Sequence, residues 1–388
     1  MSRELYLAIE TSCDETSLAI LSKEPNSDDS TFYNYINSFS VPASIISSQV
    51  EVHKEYGGVI PEIGARMHAE QIHFLFKSLL SQMTEKTTVQ NNFSNQEKQI
   101  LADIDTIFVT SEPGLISALR VGLEFAKTMK FYIESLFTTK TVTIHKTNHL
   151  KGHTSSCFFE PNKRRSISDS EIFPHLHLLV SGGNSQIILS KSWNNWEIIG
   201  QTLDDAAGEC LDKIGRMLGL PYPGGIQIAK IAQLKHSNYY NLPVGMRKNT
   251  SLDYSFSGLK TAVRYFLQSR NINGYNFEKK LDEVEIKKIK TGSNLDEKSE
   301  LIYKTCVSAQ FVLVNQLVDK FKLAARQHKP KSIGLSGGVS ANLLLRNYFE
   351  KIKNENEFDY SFYPDISLTG DNAVMIGLAG LVSAKYVA

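Results

Sequence analysis

Two patterns of apolar and polar positions recur along the chain, each time in the same order. The first opens at Leu5. Leu-Tyr-Leu-Ala-Ile-Glu runs through a small polar turn, Thr-Ser-Cys-Asp-Glu, into Thr-Ser-Leu-Ala-Ile-Leu. Two apolar runs joined by small and polar residues predict a β-hairpin. Near Leu176 the pattern returns as Leu-His-Leu-Leu-Val, Ser-Gly-Gly-Asn-Ser and Gln-Ile-Ile-Leu. The second pattern is strand, glycine turn, helix. Thr106–Thr110 leads through Ser111-Glu112-Pro113-Gly114-Leu115 into an amphipathic run from Ile116 to about Leu136. Later, Ser332–Leu335 leads through Ser336-Gly337-Gly338-Val339-Ser340 into a helix expected to run through Arg346. Hairpin, crossover and strand–turn–helix, repeated once, predict an α/β chain made of two similar halves.

Length agrees, since 388 residues suit two domains of about 150–200 residues. The hydrophobic fraction of 41% and charged fraction of 21% exclude wholesale disorder. Lys and Arg number 42 against 41 Asp and Glu, so no histone-like coat of positive charge exists. Basic runs at Lys163-Arg164-Arg165 and Arg326 through Lys331 are candidate phosphate contacts, against a default reading as solvated surface. Cys13, Cys157, Cys210 and Cys306 lie far apart without a C-x-x-C pair. A disulfide scaffold or zinc ribbon is thereby disfavoured, and a reducing compartment is the default. No apolar run reaches the roughly 18 residues of a membrane span. The N-terminal apolar stretch is too short for a signal peptide and enters a strand at once. The expectation is a cytoplasmic protein without a membrane partner. Residues 84–100, 161–171 and 277–300 are polar or dense in charge, and the least order is expected there.

Glycine turns follow two predicted strands, at Ser181-Gly182-Gly183 and Ser336-Gly337-Gly338, and a third, Pro223-Gly224-Gly225, precedes a helix expected from Ile226. Glycine permits positive φ and close ligand approach, and free backbone N–H groups at such turns bind anions. One Gly-Gly is more simply a tight turn; three in a two-halved chain suggest a nucleotide held in a cleft between halves. Neither a Walker A loop nor a G-x-G-x-x-G fingerprint is present.

Asn148-His149-Leu150-Lys151-Gly152-His153 puts two histidines at i and i+4, on one face of a helix that Asn148 can cap. The pair can share a metal or can be two ordinary histidines. Leu150 stands where H-E-x-x-H needs its glutamate, which disfavours protease chemistry. Catalytic metals usually take three protein ligands, and Asp371, ahead of an apolar helix, is a candidate third. Its plainer role is to cap that helix. Asp204, Asp205, Glu209 and Asp212 crowd one short stretch; on a helix Asp205, Glu209 and Asp212 lie near one face, with Asp204 placed to cap its start. Such crowding repels unless a cation, a ribose or water takes it up. A solvated acidic face is the simpler reading. Asp14 and Glu15 fill the first hairpin turn, where turn chemistry alone accounts for them.

Together these motifs resemble the tRNA N6-adenosine threonylcarbamoyltransferase family, in its bacterial TsaD type. The matching text runs from Ile9-Glu10-Thr11-Ser12-Cys13-Asp14-Glu15-Thr16 through Gly57-Gly58-Val59-Ile60-Pro61-Glu62 and Asn148-His149-x-x-Gly152-His153. It continues through Leu179-Val180-Ser181-Gly182-Gly183, Thr202 to Glu209, Asp212-Lys213 and Gly219 to Gly225. Phe256 to Ala262, Gly337 to Asn342 and Asp371-Asn372 complete it. The resemblance implies an actin-like fold, the sugar kinase and heat-shock ATPase type, with two ribonuclease-H-like halves around a nucleotide cleft. We place the halves at 1–145 and 146–370, with the helix near 371–388 available to pack back on the first. The resemblance further implies one divalent metal ion, iron or zinc, on His149, His153 and Asp371. Contacts to threonylcarbamoyl-adenylate, AMP or ATP fall on Leu179, Val180, Ser181, Gly182, Gly183, Asp212, Gly225 and Asn342. Asp14 and Glu15 are candidate catalytic carboxylates. The implied reaction moves the threonylcarbamoyl group from the adenylate to N6 of the adenosine beside the anticodon, in tRNAs reading A-starting codons. The implied partners are tRNA, a paralogous actin-like protein of the TsaB type and a small ATPase of the TsaE type. Three positions depart from the family pattern: Glu112 for a glycine, Asn184 for a histidine, and Gly370 where a threonine usually precedes Asp-Asn. None removes a metal ligand. Alternatives are an ATP-dependent kinase of the same fold, or a non-catalytic nucleotide-binding scaffold.

Overall fold

The computed structural model describes residues 4–386 apart from 26, 85–92, 164, 234, 236, 247–249, 271–279, 356 and 357. It divides into two compact units, residues 1–172 with 363–388, and residues 173–362.

In the first unit, β1 (Leu5–Glu10), β2 (Glu15–Lys23), β3 (Phe39–Ser48), β4 (Ile104–Glu112) and β5 (Thr143–Asn148) form one sheet in the order β3-β2-β1-β4-β5. The strands β1, β2 and β3 form an antiparallel meander, with Leu7 opposite Ile20; β4 and β5 add in parallel. In the second unit, β6 (His175–Val180), β7 (Ser185–Ser192), β8 (Asn195–Gln201), β9 (Ser332–Ser336) and β10 (Tyr360–Phe362) follow the order β10-β9-β6-β7-β8. The strands β6, β7 and β8 are antiparallel, and β9 and β10 are parallel additions beside β6. The two sheets thus share one topology, the ribonuclease-H-like meander plus parallel pair. The duplication expected from the repeated hairpins is present, and its topology is that of the actin-like fold the resemblance implies.

Helix faces explain the layers. Along Ile116–Leu136 the buried residues Ala118, Gly122, Ala126, Met129 and Ile133 keep helical spacing and turn one stripe inward. The helix Ala373–Tyr386 is instead buried all round from Ala373 to Val382, because it lies between β1, β2 and β4 of the sheet and the helix His149–Ser156. Residues 95–103 of the first polar stretch form a helix closed by a Ser94–Glu97 capping box; 85–92 lie outside the described residues. The charged stretch at 277–300 holds a second capped helix, Glu283–Thr291, and the start of Glu297–His328. Its residues 277–279 lie outside the described ones. Among the described residues, Glu297–His328 is long and apolar enough to cross a membrane, but 78% of its apolar window is buried inside the protein. Past Ser336 the chain makes a short 3-10 turn, Gly338–Ala341, and its helix then runs Leu343–Glu355, beyond the expected end at Arg346.

Candidate functional site

The histidine pair sits where the sequence suggests. Asn148 caps His149–Ser156, its side chain accepting from the N–H groups of Leu150 and Lys151. This helix packs closely on Ala373–Tyr386: a Cβ at Gly152 would lie 3.0 Å from Ile376 Cδ1 and 3.1 Å from Met375 Cγ. That contact carries Asp371 to the histidines. His153 Nε2 lies 3.1 Å and His149 Nε2 3.5 Å from Asp371 Oδ1. One ligand atom from each residue falls within 4.8 Å of the others. Asp371 does not cap the apolar helix. Asn372 does so, accepting from Met375 N–H at 2.9 Å.

Hydrogen bonding leaves this group incomplete. Both ring nitrogens of His153 are buried, and among the described residues neither has a hydrogen-bond partner. Its Nε2 is near Asp371 without hydrogen-bonding geometry, as expected when both point to a third body. Two imidazole nitrogens and a carboxylate oxygen suit Fe(II) or Zn(II). The residues present therefore fit a divalent ion. Without it, burial pushes His149 down, but the carboxylates of Asp371 and Glu10 outweigh burial and lift it to about 9. Burial would raise Asp371; His149 and His153 hold it below the usual carboxylate range.

Glu10, which the motif reading left without a role, is wholly buried behind His149. It accepts from Ser12 N–H, from Thr110 Oγ1–H and, at 3.1 Å, from His149 Nδ1. A lone carboxylate ending an apolar strand is the signal that marks it in the sequence.

The turn that follows carries Cys13, Asp14 and Glu15. Gln49 N–H donates to Asp14 O at 2.9 Å, and His68 Nε2 lies 3.0 Å from Cys13 O. Asp14 is buried, and Ser48 Oγ donates to Glu15 Oε1 at 3.3 Å. Burial, together with the Asp14 and Asp371 carboxylates, pushes the Glu15 carboxyl well above its ordinary range.

In the second unit, Leu179 and Val180 end β6, and Ser181-Gly182-Gly183 makes the hairpin turn. Ser181 closes it, its N–H donating to Asn184 O and its Oγ accepting from Asn184 N–H. The N-terminal amides of helix Ala207–Met217 are spent on this turn: Gly208 N–H donates to Ser181 O and Glu209 N–H to Gly182 O. The amides of that helix terminus are therefore taken, whereas the N–H groups of Gly182 and Gly183, in exposed residues, have no partner among the described residues. Gly337, at φ +86°, passes so close to the end of β6 that a Cβ would lie 2.3 Å from Val180 O. Asp212 Oδ1 accepts from Gly225 N–H at 2.8 Å, and the helix there starts at Gly224, two residues before expected. Asn342 Oδ1 caps Leu343–Glu355 through Leu344 and Leu345 N–H, while its Nδ2 donates to Gln310 Oε1 at 2.8 Å.

The acidic cluster does not form one helical face. Asp204 precedes its helix and instead caps Ser257–Ser269, accepting from Phe256 and Ser257 N–H. Asp205 meets Lys213 and Lys260, each at 2.7 Å. Burial would raise Asp205, but these lysines keep it below its ordinary value. Like-charge repulsion is thus relieved by lysine. Among the basic runs, Lys163 and Arg165 both pair with Glu160, and Arg164 lies outside the described residues.

Against known proteins, residues 40–378 match the family model for TsaD, tRNA N6-adenosine threonylcarbamoyltransferase. A protein of that name from Kosmotoga olearia is 34% identical over 98% of this chain and 93% of its own. One from Listeria innocua is 35% identical over 98% and 91%. One from Fervidobacterium nodosum is 37% identical over 98% and 94%.

Proposed function

Because this chain belongs to the tRNA N6-adenosine threonylcarbamoyltransferase family, we propose that it transfers the threonylcarbamoyl group of threonylcarbamoyl-adenylate to N6 of the adenosine beside the anticodon, in tRNAs reading A-starting codons. The observation that carries this reading to the residues is the group of buried His149 and His153 with half-buried Asp371, and its unpartnered His153 nitrogens. These three side chains would hold one divalent ion, iron or zinc. When bound, it supplies Lewis-acid polarisation of an oxygen.

The chain's own groups do the rest. The N6 amine attacks the carbamoyl carbonyl carbon, a C–N bond forms, the C–O bond to phosphate breaks, and AMP leaves. The N6 proton passes to Asp14 or Glu15. Gly182 and Gly183 N–H groups bind the phosphate of the adenylate, or of ATP, beside Leu179, Val180 and Ser181. Asp212 and Gly225 set the shape of the ribose end, and Asn342 contributes the remaining N–H of its side-chain amide.

We place the reaction in the cytoplasm, in keeping with four free cysteines. Partners of the TsaB and TsaE types are part of this reading. Exposed Phe74 and Phe131, on two helices that pack together in the first unit, favour a protein partner.

The test is incubation of purified protein with unmodified tRNA and threonylcarbamoyl-adenylate, with and without those partners. Modified adenosine that disappears in His149→Ala is the expected result. No product with any partner set, together with ATP turnover on a small acceptor, would replace this reading with the kinase.

A further inference from the structure

We propose that Glu10 is the positioning residue of the metal group: its carboxylate holds His149 Nδ1–H and so turns the Nε2 lone pair toward Asp371 and His153. This rests on the reading that the group binds a divalent ion.

Placement is the first argument. Glu10 ends β1, whose Leu5, Leu7, Ala8 and Ile9 are core residues, and it is 0% exposed. A buried carboxylate is costly unless fully paired, and an apolar side chain serves core stability better. Its two oxygens are indeed occupied. Oε1 accepts from Ser12 N–H, and Oε2 from both Thr110 Oγ1 and His149 Nδ1. Ser12 and Thr110 hold the carboxylate still, so its contact with His149 has a fixed direction.

The second argument is tautomeric. A neutral imidazole carries one N–H, and a proton held on Nδ1 by a carboxylate leaves Nε2 as the lone pair. In His149 that Nε2 is the atom facing Asp371 Oδ1. Carboxylate, histidine and metal in series is a recurrent way to fix ring orientation and raise ligand basicity.

Ser12 Oγ, 3.2 Å from the same Nδ1, is the rival holder. A hydroxyl either donates or accepts, so by itself it selects neither tautomer.

The purified full-length chain is titrated with Zn2+ against a competing chelator, as wild type, Glu10→Gln, Ser12→Ala and His153→Ala. Circular dichroism and melting of the metal-free proteins establish that each is folded. The amide of Glu10→Gln offers either a weaker neutral oxygen or an NH2 that forces the proton onto Nε2. We expect Zn2+ affinity to fall about 10–100-fold in Glu10→Gln, to stay within about twofold in Ser12→Ala, and to be lost in His153→Ala. In the zinc-loaded protein, the His149 Nδ1–H signal should lie downfield in wild type, as for a proton held by a carboxylate, and move upfield in Glu10→Gln, where only a neutral amide can accept it. If Glu10→Gln does not fold, Glu10→Asp carries the same test, since it keeps the charge and withdraws the oxygen from Nδ1. Wild-type affinity in a folded Glu10 variant, with His153→Ala defective, overturns the positioning role alone. Undiminished affinity in His153→Ala overturns the metal reading, and this proposal with it.

Discussion

Acid should loosen the second unit through one histidine. His175, in β6, is fully buried, and burial drives its imidazole from the ordinary 6.5 down to about 3. Hydrogen bonds link Ser332 Oγ with His175 Nδ1 (2.7 Å), His175 Nε2 with His177 Nδ1 (3.4 Å) and His177 Nε2 with Ser336 Oγ (2.7 Å). They tie β6 to β9, the strands that carry the turns at Gly182 and Gly337. Gly334 leaves them room; a Cβ there would lie 2.5 Å from His177 Nδ1 and 2.6 Å from His175 Nε2. Between pH 6.5 and 3 the unfolded chain binds a proton at this position and the folded chain does not. Stability therefore falls as pH drops through that window. From pH 7.5 to 5.0 a shift of this size costs about 2 kcal/mol. Both tryptophans, Trp193 and Trp196, lie in this unit, so fluorescence follows its unfolding separately. With a urea slope of about 2 kcal/mol/M, the midpoint should drop by about 1 M more in wild type than in His175→Gln. Equal drops in the two proteins would refute burial of a neutral His175 as the cause.

Other tests reach the proposed site directly. Gly208→Ala places a Cβ 2.7 Å from Ser181 O, so it should deform the glycine turn and raise the KM for the adenylate about tenfold or more, read in steady-state kinetics. Gln310→Leu removes the acceptor of Asn342 Nδ2 and the donor to Gln233 O, both at 2.8 Å. Leaving such groups unpaired costs about 1–3 kcal/mol each, and both thermal stability and adenylate affinity should fall. Asp14→Asn and Glu15→Gln, compared for kcat, should identify the proton acceptor by a loss of about 100-fold or more, while equal, full activity in both removes that role from the turn. Chelation of the metal should lower the melting temperature of wild type and leave that of His153→Ala unmoved, measured by calorimetry.

The sequence by itself determined whatever depends on neighbours in the chain. Apolar runs at residues 5–23 and 175–192, each broken by a turn of small and polar residues, predicted the two hairpins, because a strand buried on both faces reads as a continuous apolar run. The i, i+4 spacing of His149 and His153, with Asn148 as cap, predicted one helical face. Asp371 stood out as a candidate ligand; its alternative role as a cap was settled only when Asn372 proved to hold that position. Local spacing misled at Asp204 and Asp205. Their partners, Ser257 and Lys260, lie some fifty residues on, and only chain folding brings the two segments together. Tertiary structure alone put Glu10 behind His149 and spent the amides at Gly208 and Glu209 on the turn at Ser181. The reason is physical. Hydrophobic periodicity encodes which face a residue takes, whereas the partner of a buried polar group depends on which segments pack against it.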